Sequence, residues 1–320
     1  MRADSRRGPL MRVFLAGATG VIGRVLLPQL IRSGHDVVAM TRAAERRDEL
    51  RAAGAEPVVC DALDAEALRT AVTAARPQAV IHQLTSLPSR LEPRKYATQL
   101  AATNRLRREG TGNLVAAAQA AGAERIVAQS IAFAYAPEGG WVKDEGAPLG
   151  LALPPPMSEA IGAVAELERQ VLEAGGTVLR YGYLYGPQTG FHPDGYYAEL
   201  ARKRQFPIVG SGQGRWSFVH VDDAAEATVA ALERGEPGVY NVVDDEPAPV
   251  SDWVPVFAES VGAKRPFRVP AWLARLIAGR VAVAGMTAQR GASNAKAKSE
   301  LGWAPTHATW RDGFRATPAG

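Results

Sequence analysis

The chain has 320 residues, of which 47% are apolar and 22% charged, and it carries a formal net charge of +4. This balance excludes disordered, collagen-like and coiled-coil classes, and the length predicts about two domains around a core that needs no disulfide. One cysteine, Cys60, and five scattered histidines offer neither a disulfide nor metal-ligand spacing, so no metal is expected.

The first ten residues, MRADSRRGPL, carry arginines with no apolar stretch after them, and they read as a disordered tail rather than a secretory signal. The most apolar stretch, 269–286, is interrupted by Arg275 and Arg280 and does not make a membrane span. A cytoplasmic protein with no membrane partner is the expectation. Short basic groups at 42–47, 105–108 and 202–204 predict solvated surface and no nucleic-acid partner.

From residue 11 to about 181, short β-branched runs alternate with helical ones, which predicts βαβ units and a doubly wound parallel sheet of the Rossmann type. Strands are expected at 12–16, 37–41, 56–60, 79–84, 125–130 and 177–181, and helices near 21–33, 44–53, 64–75, 94–121 and 158–174. Gly34, Gly54, Pro77, Gly122 and the pair Gly175–Gly176 mark the helix ends. Beyond 181 the chain becomes rich in glycine, proline and aromatic residues up to Trp216, which predicts a pocket-building insertion. Strand-like 215–221 and 238–243 are expected to return to the sheet. The predicted organisation is a dinucleotide-binding domain from 11–181 plus about 215–250, and a smaller C-terminal substrate lobe from 182–214 plus 251–320.

The strand at 12–16 runs into Gly17-Ala18-Thr19-Gly20-Val21-Ile22-Gly23 and then a helix. Glycines there permit a tight turn and close approach of backbone N–H groups to a pyrophosphate, whose charge is favoured at a helix N-terminus. The loop predicts a dinucleotide site containing Gly17, Thr19, Gly20, Val21, Ile22, Gly23 and Arg24. The second strand ends in Thr41 and Arg42 where an NAD site would carry a carboxylate for the ribose. A hydroxyl followed by a guanidinium suits a 2′-phosphate, so NADP(H) is expected in preference to NAD(H), with Arg24 and Arg46 adding charge. Asp61 and Ala62 are placed to meet the adenine.

These residues carry a resemblance that runs from about 11 to 314. The chain resembles an extended short-chain dehydrogenase/reductase of the NAD-dependent epimerase/dehydratase superfamily. The glycine spacing at 17, 20 and 23 is that superfamily's. The further matches are Val80-Ile81-His82-Gln83-Leu84, Gly110-Thr111-Gly112-Asn113-Leu114, Tyr185-Gly186-Pro187, Phe218-Val219-His220-Val221-Asp222-Asp223, Val239-Tyr240-Asn241-Val242 and Glu300-Leu301-Gly302-Trp303. The resemblance implies further cofactor contacts at Gln83, Leu84, Thr85 and Tyr181. It also implies a homodimer through the helices near 94–121 and 158–174, whose apolar positions include Leu114, Val115, Ala118, Ile161, Val164, Ala165 and Leu172.

The family's proton relay is a tyrosine with a lysine four residues later on one helix face. The matching positions here are Ser158 and Gly162, and the chain holds no other Tyr-x-x-x-Lys. The helix asparagine is Arg107, the family serine position is Ile131 beside Ser130, and the asparagine after the sixth strand is Tyr183. The resemblance is therefore to an atypical member that keeps the cofactor loop and lacks the standard relay. Ser130, Tyr135 and Tyr183 are the candidate catalytic groups, with Tyr183 the expected proton donor. The expected function is an NADP-dependent oxidoreductase acting on a small aromatic or apolar organic substrate. A redox-neutral epimerase or dehydratase acting on a nucleotide sugar and a non-catalytic NADP-sensing regulator are the alternatives.

Overall fold

The computed structural model describes residues 10–316. The tail expected at 1–10 lies, apart from Leu10, outside the described residues. Seven strands form one parallel sheet: β1 (Arg12–Ala16), β2 (Asp36–Thr41), β3 (Glu56–Val59), β4 (Ala79–His82), β5 (Arg125–Ile131), β6 (Thr177–Tyr181) and β7 (Gly238–Val242). Their order across the sheet is β7-β6-β5-β4-β1-β2-β3, and every neighbouring pair is parallel. This is the doubly wound order, with the direction of winding reversing between β1 and β4.

Both faces of the sheet are covered, so β1 and β4 read as nearly unbroken apolar runs and β6 is buried throughout. On one face the helices Val21–Arg32 and Val221–Arg234 enclose Val13, Leu15, Leu26, Leu30, Ile81 and Leu179. On the other, Ala65–Ala75, Thr111–Ala120 and Met157–Glu173 enclose Phe14, Val38, Leu68, Val80, Leu114, Leu167 and Val178. The long helix expected near 94–121 is a continuous coil of three parts: Tyr96–Arg105, a wider π turn at Leu106–Gly110, and Thr111–Ala120.

The expectation for 215–221 is corrected by the pairing. Phe218–His220 pairs in parallel with Tyr183–Tyr185, and Arg215–Trp216 pairs antiparallel with Ala248–Pro249, so neither joins the central sheet. Only 238–242 returns to it. A third core gathers Phe191, Phe206, Trp216, Phe218, Trp253, Phe257, Trp310 and Phe314 into a second lobe over the carboxyl ends of the strands. Of the apolar positions expected at a dimer contact, Leu114, Ala118, Ile161 and Val164 are buried within the chain itself. The outer face of Met157–Glu173 carries Arg169 paired with Glu166 and Glu173.

One buried ion pair fixes that helix to the sheet. Arg180 of β6 donates from Nε (2.8 Å) and Nη2 (2.6 Å) to the two oxygens of Glu168, and both side chains are almost fully buried. Ser130 of β5 donates to Glu168 Oε1 at 2.6 Å, and Arg180 Nη1 donates to the Tyr135 phenol at 3.0 Å. Tyr135 in turn donates to Asn241 Oδ1 of β7 at 2.6 Å.

Among the described residues no helix is long and apolar enough to cross a membrane, and no group of three or more His, Cys, Asp or Glu side chains is placed to hold a metal ion.

Two outcomes follow from this packing. Glu168→Gln leaves Arg180 buried without its counter-charge and should cost about 3–5 kcal/mol, read by denaturant unfolding; a loss under about 1 kcal/mol would show that the pair does not hold the helix. Gly23→Ala would place a Cβ 2.1 Å from the Gly17 carbonyl oxygen. It should weaken dinucleotide binding at least about tenfold while circular dichroism stays native, since the loop must shift to make room.

Candidate functional site

The predicted cofactor residues come together along the carboxyl edge of the sheet. The loop at 17–23 leaves β1, Thr41 ends β2, Asp61 and Ala62 follow β3, and Gln83, Leu84 and Thr85 follow β4. Gly17 has φ +95°, and a Cβ there would lie 2.5 Å from the Gln83 carbonyl oxygen, so the β1 and β4 loops touch at the point where the winding reverses. Gly20 begins the helix Val21–Arg32 with no side-chain cap and no acidic residue in the first turn. The first-turn amides are therefore open to an anion, and Gly20 and Val21 lie exposed above them. Glycines that no side chain can replace, beside an uncapped helix end, are the cradle a dinucleotide pyrophosphate requires.

At the adenosine side Thr41 is buried, and its hydroxyl accepts from the Ala43 amide at 3.1 Å, which shapes the turn. Arg42 is exposed. Arg46 Nη1 and Arg24 Nε approach the two oxygens of Glu49 at 2.6 and 3.8 Å, and Arg24 also donates to Gln188. Asp61 accepts from the Leu63 amide through Oδ1, and the carbonyl of buried Ala62 accepts from Asn113 Nδ2. Leu84 presents its carbonyl to Gln129, and Thr85 is exposed at the rim. Gln83 Nε2 donates to the Tyr181 phenol at 3.1 Å, and Tyr181 lies 2.6 Å from Thr228 Oγ1. Tyr181 is thus part of a buried hydrogen-bond chain under the crevice, and only Gln83 connects it to the loop.

The three candidate catalytic groups stand apart from one another in role. The Ser130 hydroxyl donates to Glu168 and the Tyr135 phenol is held between Arg180 and Asn241, so both are spent on the buried network. Tyr183 lies between two rings, 4.3 Å from Phe133 at 13° and 3.9 Å from Trp216 at 15°. Its phenol donates to Gln289 Oε1 at 2.8 Å. Burial pushes the Tyr183 phenol well above its ordinary pKa of 10, which makes it a weaker acid. A phenol that is stacked, already donating and harder to ionise suits a wall of the site better than a proton donor.

Ser158 and Gly162 lie on the first turns of Met157–Glu173, and a Cβ at Gly162 would meet open space. No side chain at these two positions reproduces the family's tyrosine and lysine. At the end of β4, His82 Nε2 lies 2.8 Å from Thr111 Oγ1, and its Nδ1 accepts from the Leu84 amide. Burial, helped by the charge of Arg107, pushes the imidazole down to about 4, so His82 is neutral near pH 7.

Two groups were not legible as site residues, and a third, Arg107, was legible only as a departure from the family's helix asparagine. Glu168 reads in sequence as one of several helix glutamates, Gln289 lies more than a hundred residues from the tyrosine it accepts from, and Arg107 reads as a surface charge in a basic run. A signal for Arg107 does exist, because Tyr96, Leu100, Thr103, Asn104 and Arg107 recur at helical spacing and share one inward face.

Residues 13–242 match the model of the NAD dependent epimerase/dehydratase family. A 3-diazoavenalumate denitrifying reductase of Streptomyces sp. is 50% identical over 307 residues, covering 95% of this chain and 99% of that protein. A quinoline-1-oxide ketoreductase of Stigmatella aurantiaca is 28% identical over 97% of this chain and 98% of its own length. Among solved structures, the UDP-glucose 4-epimerase of Thermotoga maritima superposes with a TM-score of 0.75 at 22% identity, covering 96% of this chain and 97% of that one. MoeE5 in complex with UDP-glucuronic acid and NAD gives 0.71 at 25% identity, with the same coverage. Relatives named as reductases agree with the oxidoreductase expectation, and the glycine cradle agrees with a nicotinamide dinucleotide. From its cofactor loop, its strand order and these matches, the chain belongs to the NAD dependent epimerase/dehydratase family, as a member without the tyrosine–lysine relay.

Proposed function

We propose that this chain is an NADP-dependent reductase that removes a diazo group from an aromatic carboxylic acid as dinitrogen. The observation that carries this reading is the pair Ser158 and Gly162, which stand where the family resemblance places the tyrosine and lysine of the proton relay. Reduction of a ketone builds negative charge on oxygen, and a positioned acid contributes roughly 10²–10⁴-fold to such a step. Reduction of an aryl diazonium builds none. Held at the glycine cradle of Gly17, Gly20 and Gly23, the nicotinamide would supply a hydride, so that a ring C–H would replace the C–N bond and N₂ would leave, and a phenolate left by a ring-hydroxylated substrate would take its proton from water. The 50% identity to a denitrifying reductase of a diazo substrate supports the same chemistry.

The chain's own residues then bind and orient. Half-buried Phe133, at the outer end of its stack with Tyr183 and Trp216, would offer its aromatic face to a flat ring, with Gln289 holding the middle ring in place. The neutral His82 and the closed Ser130–Glu168–Arg180 network keep stray acids away from the reacting group. A ketoreductase or epimerase reading would need a proton donor or acceptor that these hydroxyls, already bonded elsewhere, do not supply. The preference for NADP is supported by the absence of a carboxylate at the end of β2 and by Arg42, Arg46 and Arg24 around it.

Purified protein incubated with NADPH and 3-diazoavenalumate, the compound in the name of the 50% identical relative, should consume NADPH and release avenalumate and N₂, and deuterium from labelled NADPH should appear on the ring. Recovery of unreacted diazo compound would refute the reaction. Tyr183→Phe should change turnover less than about tenfold, and Ser158→Ala should be nearly silent; a loss above about 10²-fold in Tyr183→Phe with NADPH affinity intact would restore Tyr183 as the acid. Arg42→Ala should weaken NADPH binding about tenfold and leave NADH binding unchanged, as titration of both cofactors will show. Equal affinities in the unaltered protein would remove the NADP assignment.

A further inference from the structure

Among the described residues, Arg107 is a buried charge that its own fold does not answer. Its side chain is 8% exposed, yet among the described residues it makes no hydrogen bond and no ion pair. Burial pushes the guanidinium down to about 10, against the pull of Glu168, so it remains protonated near pH 7. The groups that could have paired with it are engaged elsewhere. Both oxygens of Glu168 accept from Arg180, Oε1 also accepts from Ser130, and His82 is neutral. A guanidinium has five donors in a fixed fork, and a buried cation without a counter-charge is retained against a steep desolvation penalty.

Three further observations turn that face of the helix towards a ligand. Arg107 sits in the π turn Leu106–Gly110, a local widening that recurs at functional sites. Asn104, three residues earlier, has a buried Oδ1 with no partner. Tyr96, earlier on the same face, is largely buried and close enough to Tyr183 to raise its phenol, which links this face to the aromatic wall. Thr103, between them, accepts from the Ser86 amide and holds the segment after β4 against the helix. The face therefore runs from the end of β4 to the aromatic stack, along the crevice where a substrate of this fold lies.

We propose that Arg107 binds the carboxylate of the aromatic substrate, receiving its two oxygens on the guanidinium fork and so holding the far end of the molecule while the ring lies on the Tyr183 stack. For the kind of substrate this rests on the reductase reading above. The carboxylate supplies the counter-charge that the fold withholds, and a planar bidentate pair is the geometry a guanidinium matches best. Specificity follows in the same way, because an ester or amide would leave the buried cation unanswered.

The test is a binding measurement that needs no turnover. Calorimetry on the NADP-loaded protein should show trans-cinnamate binding at least about tenfold more tightly than its methyl ester, the difference expected of a charge-assisted contact. Arg107→Gln should abolish that preference, and Arg107→Lys should retain part of it. NADPH affinity should stay within about twofold in both variants, and the ligand-free melting temperature of Arg107→Gln should hold or rise, because an uncompensated cation has been removed. Equal binding of acid and ester, a preference that survives Arg107→Gln, or binding that requires a ring hydroxyl would overturn the proposal. So would a fall in NADPH affinity of tenfold or more, which would assign Arg107 to the cofactor, or a markedly lowered melting temperature, which would assign it to the fold. A protein that binds cinnamate through Arg107 and leaves the diazo compound unreduced fails the proposed reaction alone. One that reduces the diazo compound but treats acid and ester alike fails this inference alone.

Discussion

The bidentate pair between Glu168 and Arg180 sets the terms for everything around it. Two opposite charges almost fully out of water hold together only when nearly every donor and acceptor is used, and here the pair draws in Ser130, Tyr135 and, through Tyr135, Asn241. That closure joins β5, β6, β7 and the helix Met157–Glu173 into one rigid floor. It also consumes the hydroxyls that a proton-transfer site would draw on.

A second consequence is electrostatic. Glu168 is neutralised by Arg180, so the next cation along, Arg107, receives only a distant attraction. Neutral His82 does not help, because its imidazole is occupied by Thr111 and the Leu84 amide. The crevice thus holds one positive charge without a partner at one end and a stack of aromatic rings at the other. On the reading proposed above, such a combination would suit a flat molecule with an anionic tail.

The cofactor side follows a different logic, in which contact is made by backbone rather than side chain. Gly17 touches the β4 loop and Gly23 packs under Gly17, so the amides at the head of Val21–Arg32 are exposed and rigid. Binding there depends on the absence of side chains, and it tolerates wide change in the chemistry a few ångströms away. This separation explains how a chain can keep the dinucleotide loop intact while its proton relay is gone.

The strands of the sheet, the glycine loop and the lost relay were legible in the amino-acid sequence, because each depends on local pattern: β-branched runs, glycine spacing, and two residue types missing from one helix. The sequence by itself also marked the glycine-, proline- and aromatic-rich stretch after Tyr181 as distinct from the alternating units before it. What it did not settle were partners distant along the chain. Ser130 and Tyr135 read as candidate catalysts until Glu168 and Asn241 were seen to hold them, and Tyr183 read as an acid until Phe133, Trp216 and Gln289 closed around it. Residues 215–220 have strand character, but which strands they join is decided by pairing, of Phe218–His220 with Tyr183–Tyr185 and of Arg215–Trp216 with Ala248–Pro249. Arg107 is the sharpest case, since a basic run is solvated by default and only the packing of three helices and β4 shows one of its members buried and unpaired. Local pattern determines which elements form and which backbone is bare; tertiary packing alone determines which polar groups are already satisfied and which are left to a ligand.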